Sequence, residues 1–317
     1  METVLITGGA GFIGSHLAER LLKGCHVIVL DNFDPYYDPE IKRKNISFLT
    51  SKNNKNFHFF EADIRNKNYV EKIIKEKGIN KIVHLAAKVG VRSSIKNPLE
   101  YIDVNICGTL NLLELARKYD IKNFVFGSSS SVYGISNKIP FLESDPADKP
   151  ISPYAASKQS CELFCHTYNY LYKIPICCLR FFTVYGPRQR PDMAISKFTK
   201  SIEEDREIQV FGDGSSKRDY TYVTDIIDGI ASTLNKKFDF EIINLGDSNT
   251  VELRYLISLI EKELKKKAKI KQMPEQPGDV PITCASIAKA EKLLDYKPSV
   301  PIEEGIKKFV EWFRMRK

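Results

Sequence analysis

Tyr154 and Lys158 stand four residues apart in Ser152-Pro153-Tyr154-Ala155-Ala156-Ser157-Lys158, a spacing that puts both side chains on one face of a helix. Ser152 suits the cap of that helix and Pro153 its first turn. A phenol beside an ammonium is a candidate general base, since the positive charge favours the phenolate and draws its pKa toward neutrality. Chance places such pairs on many helices, so this one gains weight only from company. Thr7-Gly8-Gly9-Ala10-Gly11-Phe12-Ile13-Gly14 supplies it, following the apolar run Val4-Leu5-Ile6 and preceding Leu17 and Leu21 at helical spacing. Glycines at 8, 11 and 14 permit a tight turn, close approach of backbone to a pyrophosphate, and close helix–sheet contact. Asp31 ends the next apolar run 23 residues beyond Gly8. An acid there accepts hydrogen bonds from ribose hydroxyls and repels an added phosphate, which points to NAD rather than NADP. The positive nicotinamide of NAD would further favour the Tyr154 phenolate.

Other candidates lie at the ends of apolar runs. Ser129 and Ser131 fall within Gly127-Ser128-Ser129-Ser130-Ser131-Val132-Tyr133-Gly134. A serine run is commonly a polar turn; near Tyr154, a hydroxyl can instead relay a proton between substrate and phenolate. Asp63, and Leu85-Ala86-Ala87-Lys88, are placed to face the same crevice. Asp63 equally suits a helix cap, and the alanines suit close packing.

The elements that must position these residues alternate. Strands are expected at 4–6, 26–30, 57–60, 82–85, 124–126 and 176–179, with helices around 67–77, 98–118 and 153–172. This rhythm implies an α/β protein with a Rossmann-type doubly wound parallel sheet. After residue 180, prolines punctuate shorter elements, including strands at 208–211 and 242–245. The expected division is a dinucleotide-binding domain over 1–180 and a smaller C-terminal α/β substrate lobe over 181–317, with some later segments returning to the first domain.

Bulk properties exclude little. The 317 residues are 43% hydrophobic and 28% charged, with a formal net charge of +8. The one dense basic run, Lys265-Lys266-Lys267, closes an apparent helix and reads as a solvated, dipole-complementing end, so no nucleic-acid partner is expected. Seven cysteines show no metal-binding spacing, and no metal is expected. No leader or membrane span is visible, so a cytoplasmic protein is expected.

The chain resembles the extended short-chain dehydrogenase/reductase family along nearly its whole length, and specifically its nucleotide-sugar 4-epimerases. The resemblance rests on residues 7–14, Asp31-Asn32, Ser129 to Gly134, Tyr154 with Lys158, Arg180 to Pro187, Arg218 to Val223, and Pro277-Gly278-Asp279. It implies Tyr154 as base, Lys158 as its electrostatic partner and ribose anchor, Ser129 as hydroxyl relay, and Ser131 as a second hydroxyl near the sugar. It implies tightly held NAD contacted by Gly8, Gly11, Phe12, Ile13, Asp31, Asn32, Asp63, Ile64, Leu85, Ala86, Ala87, Lys88 and Asn105, besides Tyr154 and Lys158. Arg218 and Asp279 would hold the phosphates and ribose of a UDP-sugar. A homodimer is implied, built on helices 98–118 and 153–172.

Within that family the sequence is most similar to UDP-glucuronate 4-epimerases, through Asp31-Asn32-Phe33-Asp34-Pro35-Tyr36-Tyr37-Asp38, Arg188-Gln189-Arg190-Pro191-Asp192-Met193-Ala194, and Gln276 before Pro-Gly-Asp. The sugar-nucleotide 4,6-dehydratases carry Asp-Glu where Ser130-Ser131 stand, and the decarboxylases a glutamate at Ser131. A 4-keto glucuronate is a β-keto acid liable to lose carbon dioxide. Arg190, aided by Thr183, is therefore expected to clamp its carboxylate; a phosphate clamp or a solvated loop are the other readings of this arginine. Epimerases of UDP-glucose or UDP-N-acetylglucosamine (Thr283 leaves room for an N-acetyl group), a UDP-glucuronate decarboxylase, and a non-catalytic NAD-binding scaffold are the alternatives.

Overall fold

The computed structural model describes residues 1–52, 54–135, 138–275 and 280–316. Strands β1 (Thr3–Thr7), β2 (His26–Asp31), β3 (Phe57–Glu61), β4 (Lys81–His84), β5 (Asn123–Ser129) and β6 (Ile176–Phe181) are followed by β7 (Thr183–Tyr185), β8 (Glu207–Phe211), β9 (Lys217–Tyr222), β10 (Phe240–Leu245), β11 (Thr250–Glu252) and β12 (Lys269–Met273). Seven of them form a parallel sheet in the order β10-β6-β5-β4-β1-β2-β3.

Alternation along the strands explains why helices cover both faces. Val4, Ile6, Val27, Val29, Val83 and Val125 point into one buried cluster. Leu5, Ile28, Leu30, Ile82, Phe124 and Phe126 point into the other. A parallel sheet buried on both sides reads as nearly unbroken apolar runs, as these strands do. On the first face lie α1 (Phe12–Leu21) and, after α2 (Pro39–Ser51), α3 (Lys67–Lys77), α4 (Val91–Lys96), α5 (Pro98–Tyr101), α6 (Gly108–Lys118), α7 (Pro153–Tyr172) and α8 (Ala194–Glu203) in the chain, α9 (Val223–Asn235). The second face is covered by α3, α6 and α7.

Two expectations differ in detail. The strand near 242–245 belongs to the large sheet: β10 pairs with β6, Ile242 opposite Cys178 and Leu245 opposite Phe181. The helix expected over 98–118 is α5 and α6 separated by a π-helical stretch, Ile102–Cys107. That stretch turns Asn105 inward. The remaining strands make a three-stranded sheet, β11-β9-β7, and a parallel pair, β12-β8. The order in which strands are added reverses between β1 and β4, and in such sheets ligands bind beyond the carboxyl ends of the strands at that switch.

Among the described residues, no helix is long and apolar enough to cross a membrane, and no group of three or more His, Cys, Asp or Glu is placed to hold a metal. Lys266 and Lys267, from the basic run, pair with Asp205 and Glu261.

Candidate functional site

A cleft of about 390 Å³ opens at the switch point. Its floor is the glycine loop. Gly8 has φ +69° and lies so close to the β4 end that a Cβ would sit 2.7 Å from the Ala86 nitrogen. A Cβ on Gly14 would come within 2.4 Å of the Gly8 oxygen. No side chain caps α1 and no acid lies in its first turn, so its free N–H groups and positive dipole end are available to an anion at Gly11–Gly14. A diphosphate fits this cradle; a side chain would not.

Asp31 closes β2 and is buried. Its carboxylate accepts from the Ala10 and Phe33 N–H groups (3.2 and 2.9 Å) and pairs with Lys42 at 3.3 Å. Asp63 does not cap a helix, since Asn66 caps α3. Asp63 accepts instead from Asn32 (2.8 Å) and Arg65, whose hydrogen bonds pull its pKa down to about 2 against the effect of burial. Gly8, Gly11, Phe12, Ile13, Asp31, Asn32, Asp63, Ile64, Leu85, Ala86, Ala87 and Lys88 all line the cleft. Lys88 bridges Asp34 and Glu100 at 2.9 and 2.6 Å.

Asn105 stands behind the wall rather than in it. It accepts from the Lys88 N–H (2.7 Å) and donates to the Lys88 carbonyl (3.0 Å) and Ser157 Oγ (2.9 Å), tying the strand end to α7.

The opposite wall carries Tyr154, Lys158, Ser129, Ser131, Thr183 and Arg190. Ser152 caps α7, accepting from the Ala155 N–H at 3.1 Å, and so sets Tyr154 on the first turn. The Ser129 hydroxyl lies on the Tyr154 side of the cleft and favours the phenolate. It accepts from the Ser131 N–H (3.2 Å) and contacts the Ser131 hydroxyl (3.1 Å), so two linked hydroxyls share this wall with the phenol. Beneath it, Ser128 donates to Glu162 (2.5 Å), which is held by Arg180 in a buried two-bond pair.

Burial raises the Tyr154 pKa, opposed by the Ser129 hydroxyl and the Arg190 charge. Lys158 turns toward the carbonyl end of β5. Its ammonium donates to the Gly127 carbonyl at 2.7 Å and lies 4.8 Å from the centre of the Phe126 ring, and burial lowers its pKa to about 8. Sharing a helix face brings Cβ atoms together, but the long stem carries this amine to the β5 end.

Arg190 donates through Nε and Nη2 to both oxygens of Asp192, each at 2.9 Å, and its guanidinium lies 5.7 Å from the centre of the Tyr36 ring. Tyr36 and Asp192 are thus site neighbours that the sequence reading held only as parts of motifs; an aromatic beside paired acids in the loop after β2 was the signal. Arg218 lies on β9, away from the cleft lining, and donates to the Lys217 and Pro281 carbonyls (2.9 and 3.3 Å). Asp279, with Gln276, lies outside the described residues.

Comparison with known proteins follows the same outline. The family model described as GDP-mannose 4,6 dehydratase matches residues 5–309. A UDP-glucuronate 4-epimerase of Thermodesulfobacterium geofontis is 44% identical, over 98% of this chain and 96% of the relative. The crystal structure of UDP-glucuronic acid 4-epimerase from Bacillus cereus, in complex with UDP-glucuronic acid and NAD, is 38% identical with a TM-score of 0.94, covering 99% of this chain and 100% of that one. A UDP-glucose 4-epimerase of Thermotoga maritima with UDP-glucose is 33% identical with a TM-score of 0.91, covering 99% of each chain.

Proposed function

The chain belongs to the GDP-mannose 4,6 dehydratase family of extended short-chain dehydrogenases/reductases, and from that premise we propose that it interconverts UDP-glucuronate and UDP-galacturonate by epimerisation at C4, using bound NAD. The observation that carries this reading is the meeting, in one cleft, of a dinucleotide cradle, the Tyr154, Ser129 and Ser131 hydroxyls, and the Arg190 guanidinium.

NAD would supply a hydride acceptor at C4 and return that hydride to the other face of the sugar. Gly8, Gly11, Phe12 and Ile13 hold its pyrophosphate on the α1 terminus, and Asp31 and Asn32 take the adenosine ribose. Asp63, Ile64 and Leu85 to Lys88 complete the walls, and Lys158 anchors the second ribose. Tyr154 removes the C4 hydroxyl proton, directly or through Ser129, and returns it after the keto sugar has turned. Ser131 hydrogen-bonds the sugar beside it.

No carboxylate stands at positions 130 or 131 to drive elimination, which favours epimerisation over dehydration. Arg190 and Thr183 hold the sugar carboxylate out of line with the C4 carbonyl, so that carbon dioxide is retained. Arg218 and Asp279 bind the UDP moiety from the second lobe. A homodimer is part of this reading: Leu99, Ile102, Leu163, Tyr170, Leu171 and Tyr172 are exposed on α5, the π-helical stretch and α7, more apolar surface than solvent-facing helices need. A cytoplasmic setting agrees with seven cysteines, all free.

The test is incubation of purified protein with UDP-glucuronate, UDP-glucose and UDP-N-acetylglucosamine, with products resolved by NMR. UDP-galacturonate as the main product is expected. Turnover of either neutral sugar in preference to UDP-glucuronate overturns the reading.

A further inference from the structure

Arg190 cannot offer its whole guanidinium to a substrate. Asp192 takes the Nε–Nη2 edge through two parallel hydrogen bonds of 2.9 Å. The donors it leaves lie along the Nη1–Nη2 edge. Asp192 is itself braced: the Tyr36 hydroxyl donates to its Oδ2 at 3.5 Å and is held in turn 3.2 Å from the Ser93 hydroxyl, and the guanidinium lies 5.7 Å from the centre of the Tyr36 ring. The same Tyr36 hydroxyl lies where a Cβ on Gly90 would sit only 2.5 Å away, so the ring is packed against the loop after β4. Three segments therefore converge on one arginine: the loop after β2, the start of α4, and the segment before α8.

We propose that Asp192, braced by Tyr36, is a positioning pair that fixes which edge of Arg190 faces the sugar, and thereby decides how the oxidised intermediate partitions between epimerisation and loss of carbon dioxide. This rests on the UDP-glucuronate reading above. Once C4 is a ketone, the C6 carboxylate is β to it. If the C5–C6 bond aligns with the carbonyl π system, that bond breaks heterolytically. Carbon dioxide leaves, the electron pair becomes the C4–C5 enolate, and water later returns a proton to C5. No further oxidant or reductant is needed. What prevents the step is the angle at which the carboxylate is held, and a planar fork imposes an angle only if it cannot itself turn. A guanidinium clamped along one edge by a carboxylate and supported on a ring has lost that rotation.

Asp192 and Tyr36 act through Arg190, so their signature is a ratio rather than a rate. A merely less stable variant yields less of both products and leaves the ratio alone, because both arise from one intermediate. The experiment feeds UDP-glucuronate to wild-type, Asp192→Asn and Tyr36→Phe proteins with bound NAD, and measures carbon dioxide released against UDP-galacturonate formed. Asp192→Asn keeps the size of the side chain but ends the two-bond clamp. It is expected to raise the ratio about tenfold, the factor that corresponds to losing one charge-assisted contact. Tyr36→Phe keeps the ring and loses the hydroxyl, and is expected to raise it in the same direction by less; should Asp192→Asn fail to fold, this variant carries the test. Ratios equal to the wild type's, in an enzyme that forms UDP-galacturonate, overturn the proposal alone. A wild-type protein that leaves UDP-glucuronate unchanged overturns the functional reading and this proposal with it.

Discussion

Burial opposes the phenolate of Tyr154 while the Ser129 hydroxyl and the Arg190 charge favour it, and in the protein alone burial prevails. The balance must therefore be tipped by the cofactor's own positive ring. This makes the phenol hydroxyl indispensable: Tyr154→Phe should cut turnover by about 10²- to 10⁴-fold, the usual span for a general base, while bound NAD, measured by absorbance after denaturation, stays stoichiometric. A Tyr154→Phe protein with wild-type turnover would exclude the base assignment. Arg190 has two effects that one substitution separates. Arg190→Ala should reduce kcat/KM for UDP-glucuronate more than for UDP-glucose, since only the first offers a carboxylate. It should also move the acid limb of the rate profile to higher pH with both sugars, because the charge that lowers the Tyr154 pKa is gone. Equal losses on the two sugars would reassign Arg190 to the diphosphate.

At the scale of elements, the glycine loop and α1 behave as a single fitted joint. Gly14 lies in α1 against the Gly8 carbonyl, so a methyl there must push the helix from the loop, whereas a methyl on Gly11 meets only the Gly8 oxygen, at 3.1 Å. Gly14→Ala is expected to cost about 1–3 kcal/mol of stability, the ordinary range for overpacking, and to lower the NAD retained on purification. Gly11→Ala should cost less stability, and thermal melts of the two variants side by side test the contrast. This joint was legible in sequence because its requirement is local: three glycines between an apolar run and a helical period. Helix 153–172 was legible for a similar reason, opening on a capping residue, Ser152. The break at Ile102–Cys107 was not, because a π turn shifts the apolar stripe by about one residue, less than periodicity resolves. Nor was the place of β10, whose partner β6 is far along the chain and whose own residues alternate no differently from an isolated strand's. The reach of Lys158 to Gly127, and the capture of Arg190 by Asp192, depend on rotamers that spacing leaves open.

The whole molecule is joined at a cluster of acids rather than at its basic surface. Asp219 on β9 accepts from the N–H groups of Asp247, Ser248 and Ala285, stitching the small sheet to the end of β10 and to the segment beyond residue 284. Asp225, at the start of α9, accepts from Val300 and Ser299. The Tyr296 hydroxyl donates to the Gly246 carbonyl between them. Asp247 sits among these groups, and burial, with added repulsion from Asp219 and Asp225, raises its pKa to about 6 despite a hydrogen bond from Asn249. A carboxyl with a raised pKa binds its proton more tightly in the folded chain than in the unfolded one. Between pH 4 and pH 6 the native state therefore holds the extra proton, and its stability falls as pH rises through this window. Above it the carboxylate is charged in both states and the full cost of burying it remains. Asp63 has the opposite sign: lowered to about 2, it adds stability above its unfolded pKa and loses it only in strong acid. Asp247→Asn keeps the side chain's size and removes only the charge. It should raise the melting temperature at pH 7.5 by about 1–3 °C, from about 1 kcal/mol once the half-exposed oxygens are discounted for screening, and change it little at pH 4. An equal gain at both pH values would trace the effect to the new amide's hydrogen bonds, and a loss at pH 7.5 would show that the charged form is held favourably at this junction.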